Sequence, residues 1–258
     1  MAVPSHHTVT IPNLRRPVIR EEKDPLSPVR DGLPSVPFTA MLQGSLGLGK
    51  TTAMVELVTL LDQGHSIDKI FYFSPTAQLD GKAKLLIEGG HRYEIETFED
   101  LTVANWSACV DQTKAVLQKW REYKRLAKIW RRFEAAHFNP DRLAFDEALE
   151  LYERDFQPPE PLYPHGMTPS FLFLFDDLIG NAILCRPNPR GDFAKWWLMS
   201  RHLKTSILVC SQVFQGGLSK QLRANCNVFV LLANNSLLGA RLHTADGVLV
   251  LTSRGPTG

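Results

Sequence analysis

Met41-Leu-Gln-Gly-Ser-Leu-Gly-Leu-Gly-Lys-Thr-Thr52 fits the phosphate-binding pattern G-x-x-x-x-G-K-[ST], with Gly44, Gly49, Lys50 and Thr51 at its defining places. Glycine lets such a loop curl so that backbone N–H groups converge on a phosphate chain, and Ser45, Leu46, Gly47, Leu48 and Thr52 complete the cradle. The pattern brings Lys50 to the β- and γ-phosphates and the Thr51 hydroxyl to Mg²⁺. The flanks agree with it. Phe38 to Leu42 is a short apolar run suited to a buried strand, and Met54, Val55, Val58 and Leu61 recur at helical spacing from Thr51 onward. A loop set between strand and helix adds the helix dipole to anion binding, so the stretch predicts ATP and Mg²⁺ as its ligands.

Further along, Lys69 to Ser74 reads as a second strand ended by Pro75, and Tyr93 to Phe98 as a weaker one. Phe171-Leu-Phe-Leu-Phe-Asp-Asp177 is apolar without interruption up to its two acids, the signature of a central parallel strand buried on both faces. Asp192 to Lys204 reads as a helix, and Ser206 to Cys210 and Val228 to Leu232 as further buried strands. This alternation predicts an α/β P-loop NTPase with a largely parallel central sheet flanked by helices. Two additions are expected: a helical insertion over about 104–163, and a C-terminal hairpin from Ala240 to Ser253 turning at Asp246-Gly247. Residues 1–37 hold seven prolines among charged residues and are expected to form an extended or disordered arm, leaving 38–258 as the ATPase domain.

The insertion has its own character. Leu117, Trp120, Ala127 and Trp130 recur at helical spacing, whereas Lys114, Lys119, Arg121, Lys124, Arg125, Lys128, Arg131 and Arg132 cover much of the remaining surface. A second, acidic helix is expected around Asp141 to Phe156, closed by Pro158 and Pro159. The basic helix has two readings, a DNA-phosphate contact through Lys124, Arg125, Lys128, Arg131 and Arg132, or a solvated face neutralised by its acidic neighbour.

Composition bounds the function. A chain of 258 residues with 44% hydrophobic residues can bury one substantial core, and a net charge of +2 excludes histone-like basicity, so any nucleic-acid contact must be local. No apolar run approaches the roughly 20 residues of a membrane span, and the start of the chain lacks the apolar core of a signal peptide. The expectation is a soluble intracellular protein without a membrane partner. Cys109, Cys185, Cys210 and Cys226 have no C-x-x-C spacing, which suggests neither a zinc site nor a disulfide framework.

A strand ending in two acids delivers them to the carboxyl edge of the sheet, where a phosphate loop also lies. Asp176 is suited to hold Mg²⁺ beside Thr51, and Asp177 to orient or deprotonate the attacking water. Gln212 ends the next buried strand and is suited to sense the γ-phosphate, as water-positioning glutamines do in other NTPases.

The phosphate loop, the Asp176-Asp177 strand end and Arg201-His-Leu-Lys-Thr-Ser-Ile-Leu-Val-Cys-Ser-Gln212 together resemble the FtsK–HerA superfamily of DNA-pumping ATPases. Gln215-Gly-Gly-Leu-Ser-Lys-Gln-Leu-Arg-Ala-Asn-Cys-Asn-Val-Phe-Val-Leu-Leu232 is similar to the compact packaging ATPases of poxvirus-like and other large double-stranded DNA viruses. The resemblance covers roughly residues 38–235. It implies a homo-oligomeric ring that moves double-stranded DNA into a capsid, with capsid proteins as partners, in the host cytoplasm, at a viral assembly site or in the virion. It also implies Lys50 and Thr51 on phosphate and Mg²⁺, Asp176 as metal acid, Asp177 as catalytic acid where many relatives carry glutamate, Gln212 as sensor and Arg201 as a finger inserted into a neighbouring subunit. Arg223 is a rival finger, and Arg186 and Arg190 are weaker ones. Two other readings are a DNA translocase for conjugation or phage assembly, and a nucleotide-controlled assembly switch without continuous turnover.

Overall fold

The alternating Phe-Leu-Phe-Leu-Phe of Phe171–Phe175 sends its side chains to opposite faces of one strand, since successive residues in a strand point in opposite directions. In the computed structural model all five are buried: Phe171, Phe173 and Phe175 join one core, and Leu172 and Leu174 the other. The structure describes residues 34–163, 167–213 and 217–232 and the backbone of 248–249. Its strands are β1 (Thr39–Gln43), β2 (Lys69–Phe73), β3 (Glu94–Phe98), β4 (Phe171–Phe175), β5 (Thr205–Ser211), β6 (Val228–Leu231) and the two-residue β7 (Val248–Leu249). They form one sheet in the order β3-β2-β4-β5-β1-β6-β7, and every pairing among them is parallel.

The helices are α1 (Lys50–Gln63), α2 (Gly81–Glu88), α3 (Val103–Ala135), α4 (Phe145–Glu153), α5 (Ala182–Cys185), α6 (Asp192–Met199) and α7 (Lys220–Arg223). Met54, Val58 and Leu61 of α1 and Ala83 and Leu86 of α2 cover the face carrying Ile70, Tyr72, Leu172, Leu174 and Leu208. The opposite face is aromatic. Phe71, Phe73 and Phe173 meet Trp196 and Trp197 of α6 and Trp106 of α3, with ring centroids 4.8 Å apart for Phe173–Trp196 and 5.3 Å for Trp106–Phe193. Helices on both faces of an all-parallel sheet make this the α/β fold expected of a P-loop NTPase.

Three expectations change in detail. The helix from Asp192 stops at Met199 and tightens into a 3₁₀ turn over Ser200–Leu203, which Lys204 ends in a left-handed conformation at φ 52°. The acidic helix starts only at Phe145, because Pro140 opens a separate 3₁₀ turn capped by the Asn139 side chain. The C-terminal hairpin lies outside the described residues except for Val248 and Leu249, which pair in parallel with β6. The arm over 1–33 also lies outside them.

The expected insertion divides in two. The first half of α3 belongs to the main core through Trp106, Cys109, Val110 and Leu117, and acts as the ordinary crossover helix between β3 and β4. Its second half leaves the sheet and packs on α4 through a small separate cluster of Ile129, Phe133 and Leu151. Arg125 is paired with Glu150 and Arg132 with Glu147, so part of the helix's charge is met by its acidic neighbour.

Truncation separates the two cores. Phe173→Ala should lower the unfolding free energy of the whole domain by about 3–5 kcal/mol, the usual cost of a deleted core aromatic. Phe133→Ala should loosen only the α3–α4 arm, leaving the unfolding free energy of the main urea transition within about 0.5 kcal/mol of wild type. Equal losses in the main transition would mean that the arm is part of the main core.

Candidate active site

The carboxyl ends of β1, β5 and β4 are neighbours, because β5 lies between the other two and pairs in parallel with both. This juxtaposition builds the site. The phosphate loop leaves β1, turns through Gly47 at φ 78° and Gly49 at φ 84°, and enters α1 at Lys50. Both angles lie in the left-handed region that glycine adopts without steric cost. Leu46 at the loop's tip is 83% exposed, and the first N–H groups of α1 have no partner within the helix. An anion is the natural occupant of that end.

Lys50 is buried at 8% exposure, and its Nζ donates to the Ser45 carbonyl 3.1 Å away, folded back across its own loop. Across β5, Asp176 is buried at 3% exposure, and one carboxylate oxygen, Oδ2, accepts from the Tyr72 hydroxyl at 3.3 Å. Burial and the neighbouring Asp177 charge push the Asp176 carboxyl up to about 6, while Tyr72 and Lys50 pull the other way. Tyr72 in turn is held well above the usual phenol range by burial and by Asp176. A buried carboxylate destabilised by a neighbouring acid and favoured by the Lys50 charge is a group prepared for a cation. The donor set fits Mg²⁺, which takes one or two carboxylates or hydroxyls and fills its other positions with water and phosphate oxygens. Asp176 and Thr51 would hold it.

Asp177 occupies φ 52°, uncommon for a residue with a side chain and a form of strain that concentrates at functional sites. The turn presents its carboxylate to Gln212, whose Nε2 donates to Asp177 Oδ1 at 3.1 Å. The structure therefore brings together Lys50, Asp176, Asp177 and Gln212 from three strand ends.

Arg201 stands elsewhere. It sits in the 3₁₀ turn that precedes β5, whereas Gln212 follows it, and the seven residues of β5 set the two about 20 Å apart. There it lines a cleft of about 340 Å³ with Pro37, Trp197 and Asn225 at the amino edge of the sheet. Arg223 ends α7, two residues before Asn225. Arg186 lines a different cleft, of about 500 Å³, between the starts of α3 and α6. Arg190 is exposed.

Two residues escape a reading of the sequence. Tyr72 looks like any strand aromatic, and only the fold places its hydroxyl on Asp176. Lys82, in the first turn of α2, donates from Nζ to Thr52 Oγ1 at 2.6 Å and so adds a cation beside the phosphate-binding end of α1. Its only signal is a lysine just after the second strand, too common to single out.

No family model matches the sequence, and no curated protein matches it. Solved structures of similar fold include the genome packaging NTPase B204 from Sulfolobus turreted icosahedral virus 2. Its complex with ATP-gammaS is 8% identical, with 78% of this chain and 76% of that chain covered and a TM-score of 0.40. The AMP complex of the same protein is 10% identical over 78% and 77%, with a TM-score of 0.41. The N-terminal domain of zonular occludens toxin from Neisseria meningitidis is 12% identical over 79% and 80%, with a TM-score of 0.35. At such identities the functional assignment rests on the site itself.

The cost of ionising buried Asp176 is measurable. Its pKa lies above the ordinary 3.8, so its contribution to stability is present at low pH and lost as pH rises through about 6. Asp176→Asn should therefore stabilise the nucleotide-free fold by about 1–3 kcal/mol at pH 7.5, and the gain should shrink towards pH 4. Thermal melts without nucleotide decide this. A variant less stable than wild type at pH 7.5 would make Asp176 a structural acceptor.

Proposed function

We propose that this chain is an ATP-hydrolysing motor that translocates double-stranded DNA as a homo-oligomeric ring, packaging a viral genome into a capsid. The observation that carries the hydrolytic part is the convergence of the phosphate loop, both acids and Gln212 on three adjacent strand ends, with Gln212 bonded to Asp177. The packaging part is supported by the resemblance of residues 215–232 to viral packaging ATPases. No helix among the described residues is long and apolar enough to cross a membrane, a feature usual in the conjugation and phage-assembly alternatives.

In this reading Lys50 leaves the Ser45 carbonyl for the β- and γ-phosphates, and the N–H groups of α1 hold the rest of the chain. Lys82 adds charge on the Thr52 side. Asp176 and Thr51 would hold Mg²⁺, which would supply charge neutralisation for the phosphates. Asp177 takes the proton of the attacking water. One of its oxygens accepts from the Gln212 amide, so Gln212 turning to the γ-phosphate would free that oxygen when ATP binds. That coupling limits idle hydrolysis.

Arg201 stands at the amino edge, away from its own phosphate loop, and would serve only a neighbouring subunit. Arg201→Ala should bind ATP almost normally and hydrolyse it about 10³ to 10⁵ times more slowly. Lys50→Ala should neither bind nor hydrolyse it. Mixed rings of the two variants join an intact Lys50 site to an intact Arg201, so turnover should partly return on mixing. Absence of turnover in wild-type protein would contradict the enzyme itself; absence of rescue in rings proven mixed would remove Arg201 from the site, and Arg223→Ala then takes its place in the assay.

A further inference from the structure

The long helix α3 changes its buried side. Trp106, Cys109, Val110 and Leu117 pack into the main core, whereas Ile129 and Phe133 pack with Leu151 of α4. At 3.6 residues per turn, these two sets lie roughly half a revolution apart on the helix. The switch follows from length. A helix of 33 residues spans about 50 Å, and the five-residue strands beneath it span about 17 Å. Starting at the carboxyl end of β3, α3 reaches the opposite edge by Gln112, whose Oε1 accepts from Lys69 Nζ at 3.0 Å at the first residue of β2. Leu117 still belongs to the main core, and the helix beyond Trp120 is an arm that projects from the amino edge, the edge remote from the nucleotide site.

On that arm the direction that was buried nearer the sheet comes into the open, and it is cationic. Arg121, Lys124, Lys128 and Arg131 recur at spacings of three and four, on the same side of the helix as Leu117. Arg121, Lys128 and Arg131 are exposed, and the Lys124 ammonium lies over the Trp120 ring, 4.7 Å from its centroid. Glu122 and Glu134 fall on other sides of the helix, and Glu134 accepts from the Trp130 indole. The arm's remaining arginines lie on the flank between this face and α4. Arg125 and Arg132 are bound to Glu150 and Glu147, which fasten α4 to the arm.

We propose that the Arg121, Lys124, Lys128 and Arg131 face of the projecting arm is the surface on which the backbone of double-stranded DNA docks. The proposal rests on the DNA-motor reading above and assigns it a surface. Four cations along about 15 Å of a rigid helix meet a duplex that carries roughly one charge per 1.7 Å of its axis. Four long side chains on a single rod suit a regular polyanion, and such contacts carry no sequence preference. Arg125 and Arg132, included among the DNA-contacting residues on sequence grounds, are reassigned to holding α4.

The experiment measures binding of the full chain to a mixed-sequence 30-base-pair duplex by fluorescence anisotropy across a salt series. The combined variant R121Q/K124Q/K128Q/R131Q should flatten the log–log salt slope by roughly three and a half units, near 0.9 for each phosphate that is no longer neutralised. R125Q/R132Q should leave that slope within about half a unit of wild type. Basal ATP turnover in both variants reports that the domain is folded. If wild type binds DNA and the quadruple variant keeps the wild-type slope, this surface is wrong while the DNA-motor reading stands. If wild type shows no salt-dependent DNA binding, the DNA-motor reading fails and the proposal with it. If polyglutamate binds through the four residues and duplex DNA does not, the face belongs to an acidic protein and the proposal is overturned.

Discussion

The parallel pairing of β5 between β1 and β4 is the constraint on which the rest depends. It sets Ser211 level with Gln43 and brings the Gly44 N–H to the Ser211 carbonyl at 3.2 Å, so the phosphate loop and the Gln212 corner leave the sheet together. On its other side it fixes β4, and hence Asp176 and Asp177, in the same plane. All seven residues of β5 are buried. A slip of one residue would exchange Ile207 and Val209, which face the aromatic core, with Leu208 and Cys210, which face α1, and would move Gln212 away from Asp177. Register and catalytic geometry are thus one property here.

The site sits over a fold made rigid by unlike cores. One face is dominated by Phe and Trp, the other by Leu, Ile, Met and Val, and β4 feeds both by simple alternation. Rigidity beneath the loop matters because the functional groups themselves are strained. Asp176 is a carboxylate kept out of water with a second acid beside it, and Asp177 is held in a left-handed turn. Both costs are borne by packing elsewhere, as is usual where chemistry requires an unfavourable local arrangement.

Whatever local pattern decides is legible in the sequence. The phosphate loop is a contiguous motif, and the run from Phe171 to Phe175 can only be a doubly buried strand; from these the sheet class and the positions of Lys50, Asp176 and Asp177 follow. The division of α3 is not legible, because its apolar residues look like one stripe, although Leu117 and Phe133 fall on nearly opposite sides of the helix. That reversal emerges only when the helix is known to outrun the sheet. The Tyr72 and Lys82 contacts likewise join residues 104 and 30 positions from their partners, a separation that a single sequence does not bridge. The delayed start of α4 turns on one proline, Pro140, whose local 3₁₀ turn takes precedence over an otherwise helical acidic stretch.

The proposed motor function requires nucleotide hydrolysis at the carboxyl edge to be coupled to a duplex engaged by the same chain. Steady-state ATP turnover by the purified full chain, with and without double-stranded DNA and with Lys50→Ala protein as the background, tests that coupling head-on. Magnesium-dependent turnover should rise severalfold when duplex is added and be absent from the Lys50 variant. Turnover that DNA leaves unchanged, in protein independently seen to bind the duplex, would contradict the coupling and leave an NTPase that does not drive DNA.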